Sequence, residues 1–219
     1  MNIFLKKGST KFLALLLLAD LAFIFVHVIF EYFLKSNTLF SINRDLGYAE
    51  VYQYIKEFWI LVMLFVLAIK SRRIIYFTWS VLFLYLLLDD SLQLHENIGS
   101  FLANFYDLQP VFRLRAQDLG ELVVFASVGF LLLGFIAGAY LYSDDTGKEI
   151  SRHLFLLFVF LAFFGGLVDM LHIAVSFGKP VFALIEDGGE MIIMSIIVWY
   201  VFDIRSHRVY NNGDAKNHT

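Results

Sequence analysis

Two clusters of ionisable side chains interrupt the apolar runs of this sequence. The first cluster lies in the stretch 88–97, LDDSLQLHEN, which holds three carboxylates and an imidazole. The second cluster is the run 186–190, EDGGE, near the other end of the chain. Charged groups are costly to place in a bilayer, so such groups inside apolar segments indicate an ion site, a proton relay or a paired network.

Carboxylates from several helices, together with one or two imidazoles, are typical ligands of Zn, Mn and Fe. In helical bundles, an acid three residues before a histidine places two ligands on one face, and Asp169 and His172 have that spacing. The sequence therefore predicts a divalent-metal site, for Zn, Mn, Fe or Ca. Its candidate ligands are Asp89, Asp90, His95, Glu96, Glu121, Asp169, His172, Glu186 and Glu190.

A bound metal would lower the pKa of a coordinated water and support hydrolysis of a lipid-like substrate, with a free carboxylate as the general base. The sequence does not single out catalytic residues. Structural ion pairs are the alternative, but Lys56, Arg113 and Arg115 are too few to neutralise the acids. The excess acids must be protonated, hydrated or bound to cations.

Two other functions fit the same residues. Buried carboxylates and histidines also form the relays of proton- or cation-coupled transporters, although transporter sites usually lie near the membrane midplane between repeats. A protein that binds an ion or ligand without turnover is the third class. The net charge of −3 argues against a nucleic-acid partner, and the absence of cysteine excludes thiolate sites.

The composition indicates how these groups are positioned. The chain of 219 residues is 59% hydrophobic, well above the 45–50% that is usual for soluble domains, and several apolar stretches approach the ~20 residues of a bilayer crossing. We predict an all-α, polytopic membrane protein with a six-helix transmembrane domain over residues 1–205 and a disordered cytoplasmic tail over 206–219. The predicted helices are 12–34, 48–69, 74–104, 114–142, 152–177 and 181–204.

The basic residues predict the orientation of these helices. Loops on the side of the N-terminus hold eleven lysines and arginines, against five in the opposite loops. Because basic residues stay in the cytoplasm, both termini are predicted to be cytoplasmic. Apart from Asp20, the polar residues of all six helices, which include His27, Glu57 and Asp118, then fall in the outer half of the membrane, where they would line one shared chamber.

Within the third helix, Asp89, Gln93 and Glu96 share one stripe and would form the inward face. His95 lies about 100° from Glu96 on a regular helix, so the two side chains cannot both point the same way. Gly165 and Gly166, one turn before Asp169, predict a close approach of helices. The Gly134-x-x-x-Gly138 pattern is interpreted as ordinary helix packing.

The motifs DDSLQLHE at 89–96, DLGE at 118–121 and EDGGEM at 186–191 resemble those of a group of bacterial multi-pass membrane proteins. That group carries an acidic D-D/E…H-E helix and a late E-D/E-G-x-E-M helix. The resemblance spans roughly residues 40–200. It implies six helices in a bacterial inner membrane, with membrane lipid as the surrounding partner, and it transfers no activity. A homo-oligomer and a small-molecule or lipid substrate are compatible with it.

Overall fold

A computed structural model describes residues 7–34, 38–111, 114–168 and 179–214 of the chain. Over these residues the protein is helical and contains no β-strand, as the all-α prediction requires. Short π-helical turns, Ile29–Leu34 and Phe163–Val168, continue the first and sixth helices. The helices are α1 Lys7–Val28, α2 Tyr48–Ser71, α3 Ile74–Leu92, α4 Leu94–Phe105, α5 Ala116–Leu141, α6 Asp145–Ala162 and α7 Lys179–Asp214.

Four helical segments of the described chain are long and apolar enough to cross a membrane. They are Gly8–Glu31, Ile74–Leu92, Ala116–Leu141 and Asp145–Val168. Large apolar side chains cover much of the molecular surface, and Phe130, for example, is 84% exposed. A surface of this kind is stable in hydrocarbon rather than in water, which is consistent with a membrane protein.

The structure corrects two of the predicted helix boundaries. The predicted helix over 74–104 is wrong as one element, because it is divided between α3 and α4 at Gln93. The helix predicted to begin at residue 152 begins at Asp145, because the Asp144 side chain accepts a hydrogen bond from the Gly147 backbone N–H. Asp144 is thus an N-cap, where the sequence was interpreted as a loop.

Helix α7 continues through Asp214, beyond residue 206, where the tail was predicted to begin. Residues 215–219 lie outside the described part of the chain. The first helix begins at Lys7, which is earlier than predicted.

The main apolar core lies in the half of the bundle away from Asp89. Trp79 and Tyr76 of α3 are fully buried there against α2, α6 and α7. The indole N–H of Trp79 donates to the Ser151 hydroxyl of α6 at 2.9 Å, which satisfies its one polar group. This core anchors α3 and thereby fixes the position of the acidic residues at its other end.

Helices α4 and α5 meet at two glycines that the sequence analysis did not single out. A Cβ added to Gly99 would lie 2.6 Å from the backbone nitrogen of Glu121, and one added to Gly120 would overlap the Gly99 carbonyl. The two backbones therefore touch directly, as small residues allow in membrane bundles.

The four glycines that the sequence analysis singled out differ in whether a neighbouring helix lies close to them. Gly134 and Gly138 have no atom within 4 Å of an added Cβ, so neither is a point of close helix contact with the described part of the chain. Gly165 does make room for a neighbour, since an added Cβ would overlap the Glu190 carboxylate of α7. Gly166 faces open space.

Candidate metal centre

The candidate site is built around the break between α3 and α4. Gln93 adopts the left-handed conformation, with φ 50° and ψ 46°, and its backbone N–H donates to the Asp89 carbonyl. This single residue ends α3 and turns the chain into α4. Left-handed backbone is uncommon for residues other than glycine, asparagine and aspartate, so tertiary contacts must hold it here.

Side chains on either side of the break form hydrogen bonds with backbone N–H and C=O groups at the two helix ends. The Asp89 carboxylate accepts a hydrogen bond from the backbone N–H of His95, in the first turn of α4, at 2.8 Å. The Asn97 amide donates to the Gln93 carbonyl at 2.8 Å and to the Leu92 carbonyl at 3.3 Å. Asp89 of α3 thus caps the start of α4, and Asn97 of α4 bonds to the carbonyl of the last residue of α3. Free N–H and C=O groups at helix ends need such partners.

The break brings His95 to Asp89. The Nδ1 atom of His95 lies 3.1 Å from the second Asp89 carboxylate oxygen. In one continuous helix, residues six apart would be about 120° apart around the axis, and this contact could not form. The only local signal of a new helix is Glu96, an acid at the third helical position after Gln93.

Asp89, Asp90 and His95 form the one group of metal-ligating side chains found among the described residues. One ligand atom from each lies within 4.8 Å of the others. Asp89 is 5% exposed, and the other two side chains are partly buried. A carboxylate–carboxylate–imidazole set with this spacing fits a small divalent cation.

Glu57 of α2 extends this group into the bundle. It is 1% exposed, and its carboxyl group lies within hydrogen-bonding reach of the Asp90 carboxyl. Its Oε2 atom has no hydrogen-bond partner among the described residues. Two carboxyl groups can bond to each other only if one carries a proton, so this pair holds either a proton or a cation.

Further polar groups surround the pair. The Tyr54 hydroxyl donates to the Asp90 carbonyl at 3.1 Å, and Glu190 of α7 is close enough to Glu57 to repel it. The sequence analysis placed Glu57 in the chamber but not among the ligands.

The other predicted ligands are not gathered at this point. Glu121 accepts a hydrogen bond from Gln117 at 2.7 Å and lies near His95. Glu96 is 3.5 Å from the Gln93 amide, and Glu186 lies on α7 with interactions of its own. Asp169 and His172 lie outside the described residues.

Asp118 of the predicted chamber and Asp20, which was predicted to lie outside it, both have structural partners. Asp118 is fully buried and accepts hydrogen bonds from both the backbone and the guanidinium of Arg115, which caps α5. Asp20 of α1 pairs with Lys56 at 2.7 Å, and both side chains are fully buried. Lys56, which the alternative of structural ion pairs offered as a partner for the metal-site acids, is paired with Asp20.

His27 of α1, also placed in the predicted chamber, is 2% exposed. Its Nδ1 atom accepts a hydrogen bond from the Ile42 backbone N–H at 3.3 Å. The imidazole thus holds the segment before α2 against α1. This contact gives His27 a structural role away from Asp89.

His95 should titrate well above the usual range of a histidine. Its hydrogen bond to Asp89 raises the pKa of the imidazole to about 9, with nearby carboxylates adding to the effect. Because this folded-state pKa exceeds the unfolded value of about 6.5, the resulting stabilisation is complete below pH 6.5 and is lost as the pH rises through 9. An NMR titration of the His95 ring in metal-free protein should give a midpoint near 9.

His153, which contacts the Tyr200 hydroxyl at 2.9 Å at the other end of the bundle, is the internal reference in the same spectra. In the Asp89→Asn variant the His95 midpoint should fall toward 6.5. A His95 midpoint near 6.5 in the native chain would show that the Asp89–His95 contact does not form.

Comparison with known proteins identifies the family but no activity. No curated protein and no solved structure matches the chain. The profile of one family, described as a domain of unknown function (DUF8692), matches residues 10–206. This match includes α2 to α6, the helix break and the acidic residues beside it. The chain belongs to the DUF8692 family.

Proposed function

We propose that the protein is a multi-pass membrane protein that binds one divalent cation between Asp89, Asp90 and His95. The observation that carries this proposal is the convergence of three ligand atoms within 4.8 Å at the α3–α4 break. Glu57 is the fourth donor, because its buried Oε2 lacks a partner among the described residues and the group lies against Asp90.

The donor set narrows the choice of metal. An imidazole nitrogen with carboxylate oxygens suits Zn, Mn or Fe, whereas Ca prefers an all-oxygen shell. Since the pKa of His95 is raised to about 9, the cation must displace a proton from the ring at neutral pH. Binding should therefore release protons and tighten as the pH rises.

The proposed setting is a bacterial inner membrane with six crossings and cytoplasmic termini. Helices α2 and α7 would add two crossings to those of the four apolar segments. They have 24 and 36 residues, and about 20 residues are enough to cross a bilayer. The excess of lysine and arginine on the side of the N-terminus supports this orientation. The cation site then opens toward the outside.

Purified protein should contain about one equivalent of Zn, Mn or Fe per chain by elemental analysis. Asp90→Asn and His95→Gln should each lower this content at least tenfold, as loss of a coordinating or supporting group does at metal sites. His153→Gln is the matched control, because that histidine lies at the other end of the bundle. Metal-free protein that binds none of these cations on addition would refute the proposal.

Hydrolysis of a lipid-like substrate is the reaction that such a site would support, through a metal-bound water activated near neutral pH. In that reaction Glu57 would act as the general base rather than as the fourth donor, since its carboxyl group neighbours Asp90. Metal-dependent release of product from vesicle lipids would establish turnover. Stoichiometric metal without turnover would instead indicate an ion-binding protein.

Proton- or cation-coupled transport is a second candidate, and one observation favours it. Lys56, which precedes Glu57 in α2 and feels its charge, pairs with the buried Asp20 of α1, so ionisable groups continue from the metal site into the bundle. Such a series of groups is typical of membrane proton relays. Liposomes containing the protein and an internal pH dye distinguish the candidates, since only transport gives a cation-dependent internal pH change that exceeds one binding equivalent of protons and leaves the vesicle lipids intact.

A further inference from the structure

A cavity of about 440 Å³ lies between α3, α5 and α6. Its walls are apolar and include Leu82, Phe125, Gly129 and Phe158. The volume is within the range of pockets that hold small ligands. The structure does not fill it with side chains, although close packing is the rule in protein interiors.

The cavity opens sideways, between helices that are themselves candidate membrane spans. Its three walls belong to the apolar segments Ile74–Leu92, Ala116–Leu141 and Asp145–Val168. Phe130, at its edge, is 84% exposed. The medium at the opening of the cavity is therefore lipid hydrocarbon, and the cavity is too small for a helix of a partner protein, which is about 10 Å wide.

One end of the cavity reaches the candidate metal centre. Tyr85 lines the cavity, and its hydroxyl lies beside the Asp89 carboxylate. That hydroxyl is shielded from solvent and makes no well-aligned hydrogen bond to any described residue. For it to donate to a molecule in the cavity, the Tyr85 side chain must turn its hydroxyl away from Asp89.

We propose that this cavity binds one acyl chain of a membrane phospholipid, whose head group lies at Asp89, Asp90 and His95. The apolar walls take the chain and the Tyr85 hydroxyl takes an ester or phosphate oxygen. The head-group part of this proposal rests on the proposed metal site, because the carboxylates alone would repel a phosphate. A bound divalent cation offsets the charges of Asp89 and Asp90 and can itself bind a phosphate oxygen.

Gly129 allows a direct test of acyl-chain binding, because a Cβ added at this position would have no described atom within 4 Å. Leucine at this position should fill the cavity without displacing its walls. The full-length chain is reconstituted in nanodiscs that contain a phosphatidylglycerol with a photoactivatable diazirine on one acyl chain, and the labelled peptides are identified by mass spectrometry. Label should concentrate on the cavity walls and fall by roughly tenfold in Gly129→Leu, since the pocket that encloses the chain is removed.

Gly134→Leu is the matched control, because Gly134 lies on the same helix, also faces open space and does not line the cavity. Its labelling should equal that of the native chain. Ala126→Phe serves as a second filling variant if Gly129→Leu does not fold. Label spread evenly over lipid-facing residues, or unchanged in a folded filling variant, would overturn the proposal.

The metal content of the same samples separates this proposal from the proposed function. Gly129→Leu should keep its metal while losing the acyl-chain label. In Asp90→Asn, label on the walls that persists after loss of metal supports the acyl-chain site on its own. Wall labelling in a native protein that holds no metal would support the acyl-chain site and refute the head-group contact.

Discussion

Lys56→Met should destabilise the protein by about 3–5 kcal/mol, the usual effect of removing one partner of a buried ion pair. The Lys56 ammonium contacts Asp20 at 2.7 Å, Gln53 at 3.0 Å and the Met191 carbonyl at 2.9 Å. It also lies 4.3 Å from the centre of the Tyr52 ring. The lysine thus joins α1, α2 and α7, and its loss leaves the Asp20 carboxylate buried without a counter-ion. Unfolding in detergent, followed by tryptophan fluorescence, measures the change.

The double variant Asp20→Leu/Lys56→Met should recover at least half of this loss, because replacing both partners by apolar groups removes the uncompensated charge. Lys70→Met, at the exposed end of the same helix, is the control and should be nearly neutral. If Lys56→Met were as stable as Lys70→Met, the buried pair would not exist. A double variant less stable than Lys56→Met would show that the hydrogen bonds of Lys56 and Asp20 contribute more to stability than the neutralisation of the Asp20 charge does.

Gly120→Ala should destabilise the chain by roughly 1–3 kcal/mol through overpacking. The added Cβ would lie 2.7 Å from the Gly99 carbonyl carbon, so α4 and α5 must separate. That movement shifts the first turn of α4, and with it His95. The variant should therefore unfold earlier and also bind the proposed cation more weakly.

Gly134→Ala is the control for this prediction, because the same change on the same helix meets no atom within 4 Å. It should leave both unfolding and metal content unchanged. Equal behaviour of the two variants in unfolding would mean that α4 and α5 do not touch at Gly99 and Gly120.

The all-helical fold could be predicted from the sequence because it depends on local composition. Uninterrupted apolar runs leave the backbone polar groups no partner except each other, so helix is the only local solution in a bilayer. The acids at 89 and 90 could likewise be placed at the end of such a run. The contacts among helices could not be predicted from the sequence, since they depend on residues far apart in the chain.

The break at Gln93 shows why the site itself was predicted only in part. Glutamine has no preference for left-handed backbone, and neither glycine nor proline marks the position. The turn exists because Asp89 and Asn97 satisfy the two helix ends across it. A periodicity argument assumes a continuous helix and so placed His95 apart from Asp89. Gly99 and Gly120 were overlooked for a similar reason, because only the pairing of α4 with α5 gives them a role.

Asp89 uses one carboxylate oxygen to hold the first turn of α4 and the other to face His95. Occupancy of the proposed cation site and the orientation of α4 would therefore depend on the same group, and each would influence the other by an equal coupling free energy. The outer face of α4 carries Phe101 and Phe105, which are 63% and 68% exposed and suited to the membrane interface. A change in lipid packing that tilts α4 would then alter cation affinity, and the arrival of a cation would change how α4 sits in the lipid.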